Sequence, residues 1–267
     1  MRLSIIGTGK MGNAIIKGIL DHKILPADQI TGTDLHDEAR QAFLSLAPGL
    51  RWANTPAEAA TGAEVILLAV KPQNMADLLP QLHPTAPGTL FISIAAGVTL
   101  ARLATALGPN RPIFRVMPNT PLMVGEGVTA AAANDHITPA HRTILEKIFG
   151  TTGQVFTVTE PQLDAVTALS GSGPAFIALI AAAFTQAAVT EGLPESLALP
   201  MTLQTMRGTA TLLQQPGMTP ENPITQVTSK GGTTEAGLKV LQTGELAKIL
   251  TATVQAAAHR SRELAKI

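Results

Sequence analysis

The glycine pattern near the start of the chain constrains the fold more than any other segment. Six residues match the pattern GxGxxG and directly follow a short apolar run, Leu3–Ile6: Gly7, Thr8, Gly9, Lys10, Met11 and Gly12. In a strand–turn–helix unit, such glycines allow a tight turn, a close approach of the backbone to a pyrophosphate, and close packing of helix on strand. The pattern alone is weak. Its place between a predicted strand and a predicted helix indicates a dinucleotide-binding site.

Short apolar runs alternate with helical patterns through the first 160 residues. The predicted strands are Leu3–Ile6, Ile30–Thr33, Val65–Val70, Leu90–Ile94, Ile113–Val116, Val128–Ala132 and Val155–Val158. The predicted helices between them are Met11–Leu20, Asp37–Leu46, Met75–Leu82, Leu100–Leu107 and Pro139–Ile148. This alternation predicts an α/β fold with a mostly parallel, doubly wound sheet of the Rossmann type.

The pattern changes after Glu160, where strand signals disappear. Three long helical segments follow: Leu163–Glu191, Leu197–Leu213 and Glu235–Lys266. We therefore predict a dinucleotide-binding Rossmann domain at residues 1–160 and an all-helical domain at residues 161–267. The helical domain is rich in alanine and leucine and carries few charges, so we expect it to build a homodimer or a higher homo-oligomer.

Composition excludes several classes of function. Nineteen basic and nineteen acidic residues balance, which argues against a nucleic-acid-binding surface. There is no cysteine, and the six histidines form no metal-binding pattern, so we expect no metal. No signal peptide is apparent, and the longest apolar run, residues 174–189, is shorter than the ~20 residues that span a bilayer. We expect a cytoplasmic protein that does not enter a membrane.

Asp34 stands at the end of the second predicted strand, about 20 residues after the glycine pattern, where an acid binds the ribose of NAD. Such a carboxylate would repel the additional phosphate of NADP. A solvated carboxylate or a helix cap explains Asp34 equally well. His36 and Arg40 are near enough in sequence to soften the repulsion, so the choice between NADP and NAD stays open.

Three further loops follow predicted strands, and ligands of doubly wound sheets bind beyond the carboxyl ends of the strands. The predicted cofactor contacts in the first two loops are Ala69, Val70, Lys71, Pro72, Ala95, Ala96 and Gly97. In the third loop, Asn119 is the predicted polar contact with substrate. Each loop alone is also explained by ordinary turn chemistry, and it is their common position that favours a ligand site.

Two segments of the helical domain carry glycine beside hydroxyl groups. The residues Ser229 to Thr234 open the last helical segment with two adjacent glycines, which predicts inward-turned N–H groups at a positive helix end, suited to a small anion. A glycine-rich turn with threonine caps is the alternative. The residues Ser170 to Pro174 interrupt a helical pattern and predict either a kink or a plain break between two helices.

Six segments together resemble pyrroline-5-carboxylate reductases, from Ile5 to about Leu241. They are GTGKMG, AVKPQ, SIAAGV, FRVMPNTP, ALSGSGPAF and VTSKGGTTEAGL, in this order. The resemblance implies the reduction of 1-pyrroline-5-carboxylate to L-proline by NAD(P)H, the last step of proline biosynthesis. It also implies that the cofactor loops are those named above, and that an all-helical domain builds the dimer.

The resemblance further implies a set of substrate-binding residues: Ser170, Gly171, Ser172, Gly173, Ser229, Gly231, Gly232, Thr233 and Thr234. The glycine turn and the helix N-terminus suit the substrate carboxylate, and the Thr234 hydroxyl suits the imine nitrogen, which makes Thr234 the predicted catalytic residue. The proton for that nitrogen comes either from an already protonated imine or from water. The chain departs from many family members at Lys230, at Phe176 and over residues 217–222, which bear on the details of the substrate pocket.

Two other functions compete with this interpretation. A 3-hydroxyacid dehydrogenase-like oxidoreductase combines similar domains, but it needs a catalytic lysine on a helix of the second domain, and residues 163–191 contain no lysine. A non-catalytic NAD(P)H sensor needs no second, hydroxyl-rich anion site.

Overall fold

The computed structural model describes residues 1–82 and 85–265. Across these residues, eight strands form one sheet. They are β1 Leu3–Ile6, β2 Ile30–Thr33, β3 Arg51–Trp52, β4 Val65–Leu68, β5 Leu90–Ser93, β6 Ile113–Pro118, β7 Gly127–Ala133 and β8 Gly153–Thr157. The sequence predicted seven of these strands; it missed β3, whose two residues are too short to show a period.

The strand order is β3-β2-β1-β4-β5-β6-β7-β8, and every pair is parallel except β6 with β7. The order reverses at β1, so that β2 lies on one side of it and β4 on the other. Ligands of doubly wound sheets bind at such a reversal, beyond the carboxyl ends of the strands. The predicted mostly parallel sheet is confirmed, and its reversal point coincides with the glycine pattern after β1.

Twelve α-helices are present in the part of the chain that the structure describes. They are α1 Lys10–Asp21, α2 Asp37–Leu44, α3 Pro56–Ala60, α4 Met75–Leu78, α5 Leu100–Leu107, α6 Pro139–Phe149, α7 Leu163–Val166, α8 Gly173–Thr190, α9 Glu195–Leu213, α10 Glu221–Val227, α11 Thr233–Thr243 and α12 Leu246–Leu264. The sequence missed the short helices α3 and α10.

The prediction of one helix from Glu235 to Lys266 is wrong. The segment begins earlier, at Thr233, and is divided into α11 and α12 at Gly244 and Glu245. Glu245 has a φ of 53°, a left-handed conformation that no α-helix continues through. Lys266 lies outside the described residues.

Side chains of the central strands point alternately to two apolar clusters. Leu3 and Ile5 belong to one cluster and Ile6 to the other, while Val65 and Leu67 are separated from Ile66 and Leu68 in the same way. Helix α1 buries Ile15, Ile16 and Ile19 in the first cluster. Both faces of the sheet are therefore covered, as the uninterrupted apolar runs predict for buried parallel strands.

The chain divides into two compact units, residues 1–172 with 257–267, and residues 173–256. The predicted boundary at residue 160 stays a prediction; in this division the first unit extends to residue 172 and includes the chain end. There the Ser261 hydroxyl donates to Asp164 Oδ1 at 2.6 Å, and both Ala258 and Ser261 are buried. Such long-range contacts leave no local signal in the sequence.

The second unit leaves most of its apolar side chains exposed. Its buried hydrophobic residues are Ala181 and Ala198, whereas Leu179 on α8 is 72% exposed. The helical stretch Glu160–Thr190 is 31 residues long with a mean hydropathy of 1.6 in its most apolar window, so its length and composition alone would permit a membrane span. The predicted run of residues 174–189 is thus only part of a longer apolar helix.

Candidate active site

The glycine pattern forms the turn between β1 and α1, and its three glycines have different surroundings. A Cβ on Gly7, whose φ is +99°, would lie 2.7 Å from backbone atoms of Ala69. A Cβ on Gly12 would lie 2.4 Å from the Gly7 carbonyl oxygen, whereas one on Gly9 would meet nothing within 4 Å. Packing therefore requires Gly7 and Gly12 to lack a side chain, and Gly9 leaves open space beside the backbone.

The start of α1 offers unpaired amides beside that space. Its first helical hydrogen bond runs from Asn13 N to Gly9 O at 2.9 Å. The amides of Lys10, Met11 and Gly12 thus precede the helical ladder, and they lie at the positive end of the helix dipole. This is the arrangement that binds a pyrophosphate.

Thr8 contributes a buried hydroxyl to the same turn. Its Oγ1 lacks a hydrogen-bond partner among the described residues, and the residue is 1% exposed. Buried polar atoms are usually paired, so an unpaired one calls for a water or ligand partner. The unpaired hydroxyl and the space at Gly9 are both compatible with a dinucleotide bound at this turn.

Asp34 follows β2 directly and is held against the glycine turn. Its Oδ2 accepts from Thr8 N at 2.7 Å, and its Oδ1 accepts from His36 N at 3.2 Å. An ionised carboxylate has about four acceptor positions, so ribose hydroxyls can still donate to it. The sequence did not predict that Asp34 also orders the turn through Thr8.

A cavity of about 550 Å³ lies at this edge of the sheet. The predicted cofactor residues that line it are Gly7, Gly9, Asp34, Ala69, Val70 and Lys71. Leu35, which sequence reasoning missed, also lines the cavity and is 84% exposed. The only sequence signal for it is an apolar residue in a polar loop, next to the predicted ribose contact.

The loop after β4 is tied to β1, because Ala69 N donates to Ile6 O at 2.8 Å. Pro72 begins a 3₁₀ turn and does not itself line the cavity, whereas the next two residues of the turn, Gln73 and Asn74, do. The loop Ala95, Ala96 and Gly97 follows β5, one strand further along the sheet, and does not line this cavity. Gly97 has a φ of +76° and packs against the carbonyl oxygen of Leu264, which a Cβ would approach to 3.0 Å.

The predicted interruption at Ser170 to Pro174 corresponds to a π-helical turn, Thr167–Gly171, after which α8 begins at Gly173. The Ser172 amide donates to Thr167 O at 2.8 Å, which is the wider π-type bond. A Cβ on Gly171 would lie 2.5 Å from Met117 Cε, so this turn packs closely on the end of β6. Single π turns occur frequently at functional sites.

Asn119 is 6% exposed, and its amide is engaged within the chain. Its Nδ2 donates to Ser170 O at 3.1 Å, and its Oδ1 accepts from Val128 N at 2.8 Å. These bonds fix the π turn against β6 and β7. The geometry favours a supporting role for Asn119 over the predicted contact with substrate.

The segment from Ser229 to Thr234 turns sharply and then opens α11. Gly231 has a φ of +73°, and its amide donates to Glu235 Oε2 at 2.6 Å. The Gly232 amide donates to Ser229 O at 2.9 Å. Both glycine amides, which the sequence predicted as donors to the substrate, are thus already bonded within the loop.

The remaining donors of this segment are the first amides of α11. The first helical bond runs from Ala236 N to Gly232 O at 3.2 Å, so the amides of Thr233, Thr234 and Glu235 precede the ladder. The bond from the Gly231 amide to Glu235 shows that this turn binds a carboxylate. The sequence analysis did not predict this role of Glu235. The signal was an acid at the third helical position, as in a capping box.

A cavity of about 570 Å³ adjoins the same turn and is lined by Gly231, Gly232, Glu235 and Lys239. Thr234 is half-buried beside it without lining it, and Thr233 is exposed. Across residues 1–82 and 85–265, no group of three or more His, Asp or Glu side chains could hold a metal ion. The expected absence of a metal remains a prediction.

Comparison with known proteins identifies the family. Residues 160–264 match the family model described as pyrroline-5-carboxylate reductase dimerisation, and residues 2–97 match one described as NADP oxidoreductase, coenzyme F420-dependent. The whole chain is 40% identical to a pyrroline-5-carboxylate reductase of Synechocystis, with 100% of this chain and 99% of that protein covered. The chain belongs to the pyrroline-5-carboxylate reductase family.

Solved structures of pyrroline-5-carboxylate reductases share the whole fold. The enzyme from Coxiella burnetii gives a TM-score of 0.91 at 32% identity, covering 100% of this chain and 99% of that one. The Plasmodium falciparum enzyme, solved with NADP bound, gives a TM-score of 0.89 at 27% identity, covering 99% of this chain and 98% of that one. The family resemblance inferred from six short segments is therefore confirmed, and the dimerisation model begins at the predicted boundary, residue 160.

Proposed function

We propose that this protein catalyses the reaction of its family, the reduction of 1-pyrroline-5-carboxylate to L-proline by NAD(P)H, which is the last step of proline biosynthesis. The observation that carries this activity is the 40% identity over the full chain, which includes both the glycine turn and the segment Ser229 to Thr234. The competing function, that of a 3-hydroxyacid dehydrogenase, requires a catalytic lysine, and residues 163–191 of this chain contain none. A sensor does not account for the match of the helical domain to this family.

The first unit carries the residues that would hold the cofactor. The amides that open α1 and the Thr8 hydroxyl would bind the pyrophosphate, and Asp34 would bind the ribose. The loops Ala69–Pro72 and Ala95–Gly97 would border the remainder. Bound NAD(P)H supplies the hydride that reduces the C=N bond, and the protein supplies orientation.

The segments at the π turn and at the start of α11 would bind the substrate. The unpaired amides of Thr233 to Glu235 lie at a positive helix end and suit the substrate carboxylate. That carboxylate would take the place of Glu235 on the Gly231 amide, because two carboxylates at one turn repel each other. The Thr234 hydroxyl would bond the imine nitrogen and orient the C=N bond.

The activity is tested directly by following nicotinamide absorbance with purified protein, NADPH and 1-pyrroline-5-carboxylate. We expect consumption of NADPH that requires the substrate and yields one proline per NADPH consumed. A 3-hydroxyacid with NAD serves as the competing substrate. Turnover of the hydroxyacid with none of the cyclic imine would overturn the proposal, and binding of NADPH without turnover of either would favour a sensor.

Replacing Asp34 is expected to change the choice of cofactor. Asp34→Ser removes the charge facing the ribose, so the ratio of kcat/KM for NADPH to that for NADH should rise. The same variant also loses the bond from Thr8 N. This loss should weaken the binding of both cofactors alike, so it should cancel in the ratio. Asp34→Asn is the matched control, since it removes the charge and keeps the size of the side chain. An unchanged ratio in both variants would show that Asp34 does not contact the ribose.

The protein is expected to form at least a homodimer through the helices that follow residue 160. The unit of residues 173–256, whose buried hydrophobic residues are two alanines, needs a partner to cover Leu179 and the other exposed apolar side chains. Light scattering at micromolar concentration should give the mass of a dimer or higher oligomer without detergent. A monomer in solution, or recovery only with membranes, would contradict this assembly. The cytoplasmic location and the absence of nucleic acid belong to the same proposal.

A further inference from the structure

Arg115 is a buried charge that none of the roles above uses. It lies in β6 within the segment FRVMPNTP, is 7% exposed, and its NH1 lies 3.0 Å from Glu160 Oε1. A buried guanidinium needs an anionic partner, because its desolvation is otherwise uncompensated. Glu160 supplies that partner from the beginning of the helical segment, 45 residues away in sequence.

The same oxygen of Glu160 also accepts from Leu100 N at 2.7 Å. Leu100 is the first residue of α5, and its amide precedes the helical ladder. Thr99, the N-cap residue that precedes α5, already accepts from the Arg102 amide through its hydroxyl. Glu160 therefore caps the N-terminus of α5 from a distant part of the chain and places a negative charge at the positive helix end.

Leu100 fixes one end of the loop that runs from β5 into α5. At the other end, the Ser93 hydroxyl accepts from Ala95 N at 3.4 Å. Between these points lies Gly97, with its left-handed φ and its contact to Leu264. This loop carries Ala95, Ala96 and Gly97, the proposed border of the nicotinamide.

We propose that the Arg115–Glu160 pair is a positioning device that holds the loop Ala95–Gly97 through the Leu100 amide. Arg115 holds the Glu160 carboxylate in position, and the carboxylate holds the first amide of α5 in position. Neither side chain is a catalytic residue. The inference rests on the proposed function only where it links this loop to turnover, and its effect on the Leu100 amide is independent of any reaction.

The first readout is amide hydrogen exchange of the cofactor-free protein in a peptide that contains Leu100. Glu160→Ala should raise exchange at Leu100 by about tenfold, the effect of losing one net hydrogen bond. Glu160→Gln keeps an oxygen that can accept from Leu100, and should retain most of the protection. Glu64→Ala is the matched control, because Glu64 also accepts from a backbone amide, Arg2 N at 2.7 Å, before β4.

The second readout separates kcat from NADPH affinity. Glu160→Ala should lower kcat at saturating NADPH by about 10- to 100-fold, because the reacting groups are misplaced, and Glu64→Ala should not. NADPH affinity, followed by nicotinamide fluorescence, should change less than kcat, since the pyrophosphate and ribose contacts remain. If the Glu160→Ala protein fails to fold, the double variant Arg115→Met, Glu160→Ala is measured instead. The double variant leaves no unpaired buried charge.

Unchanged exchange at Leu100 in the Glu160→Ala protein would overturn the proposal, and so would faster exchange with an unchanged kcat. An inactive wild-type protein would instead refute the proposed function, and the exchange result would still decide whether Glu160 holds the loop.

Discussion

Thr234→Ala is expected to lower kcat/KM for 1-pyrroline-5-carboxylate by about 10- to 150-fold. A hydrogen bond to a polar or charged group contributes roughly 1.5–3 kcal/mol, which corresponds to that loss when the bond acts in the transition state. NADPH affinity should barely change, because the proposed cofactor contacts all lie in the first unit. Steady-state kinetics with each substrate varied, together with fluorescence titration of NADPH, measure both quantities.

Two neighbouring substitutions serve as controls for Thr234. Thr234→Ser keeps the hydroxyl and should retain most of the activity. Thr233→Ala removes the adjacent, exposed hydroxyl and leaves the helix N-terminus in place. A Thr234→Ala enzyme with nearly normal kcat/KM would show that the turn acts through its backbone amides alone, and the catalytic role of Thr234 would be withdrawn.

Gly9→Ala and Gly12→Ala are expected to fail in different ways, although both lie in the glycine pattern. The Cβ at residue 9 enters open space, so stability should be unchanged while NADPH affinity falls by tenfold or more, about 1.4 kcal/mol. The loss arises because the methyl group occupies space that a pyrophosphate needs beside the backbone. The Cβ at residue 12 meets the Gly7 carbonyl oxygen at 2.4 Å, so this variant should lose about 1–3 kcal/mol of stability.

Thermal unfolding without cofactor and fluorescence titration with NADPH separate these two effects. Gly12→Ala should lower Tm, and Gly9→Ala should leave it where it is. A Gly9→Ala protein that binds NADPH as tightly as the wild type would show that the cofactor does not approach this turn closely. A Gly12→Ala protein of normal stability would show that α1 moves away from β1 at little cost.

The elements with a strong local pattern were predicted from the sequence at nearly their observed bounds. The strands β1 and β2 and the helix α5 agree residue for residue. Buried parallel strands are uninterrupted apolar runs, and a glycine string between strand and helix has few structural alternatives. Elements that lack such patterns were missed, namely β3, α3 and α10. Glu245 adopts its left-handed conformation without being glycine or asparagine, so the break before α12 carried only the weak signal of Gly244.

The sequence by itself determined the doubly wound sheet, the place of the glycine turn between β1 and α1, and the family, because each depends on residues that are close together in the chain. Only the tertiary structure decided how distant polar groups are paired. It bonded Asp34 to Thr8, turned Asn119 toward Ser170, and joined Glu160 to both Arg115 and Leu100. It also placed the end of α12 with the first unit. Hydrogen bonds between residues far apart in the chain require an atomic separation near 3 Å, which residue type and spacing do not encode.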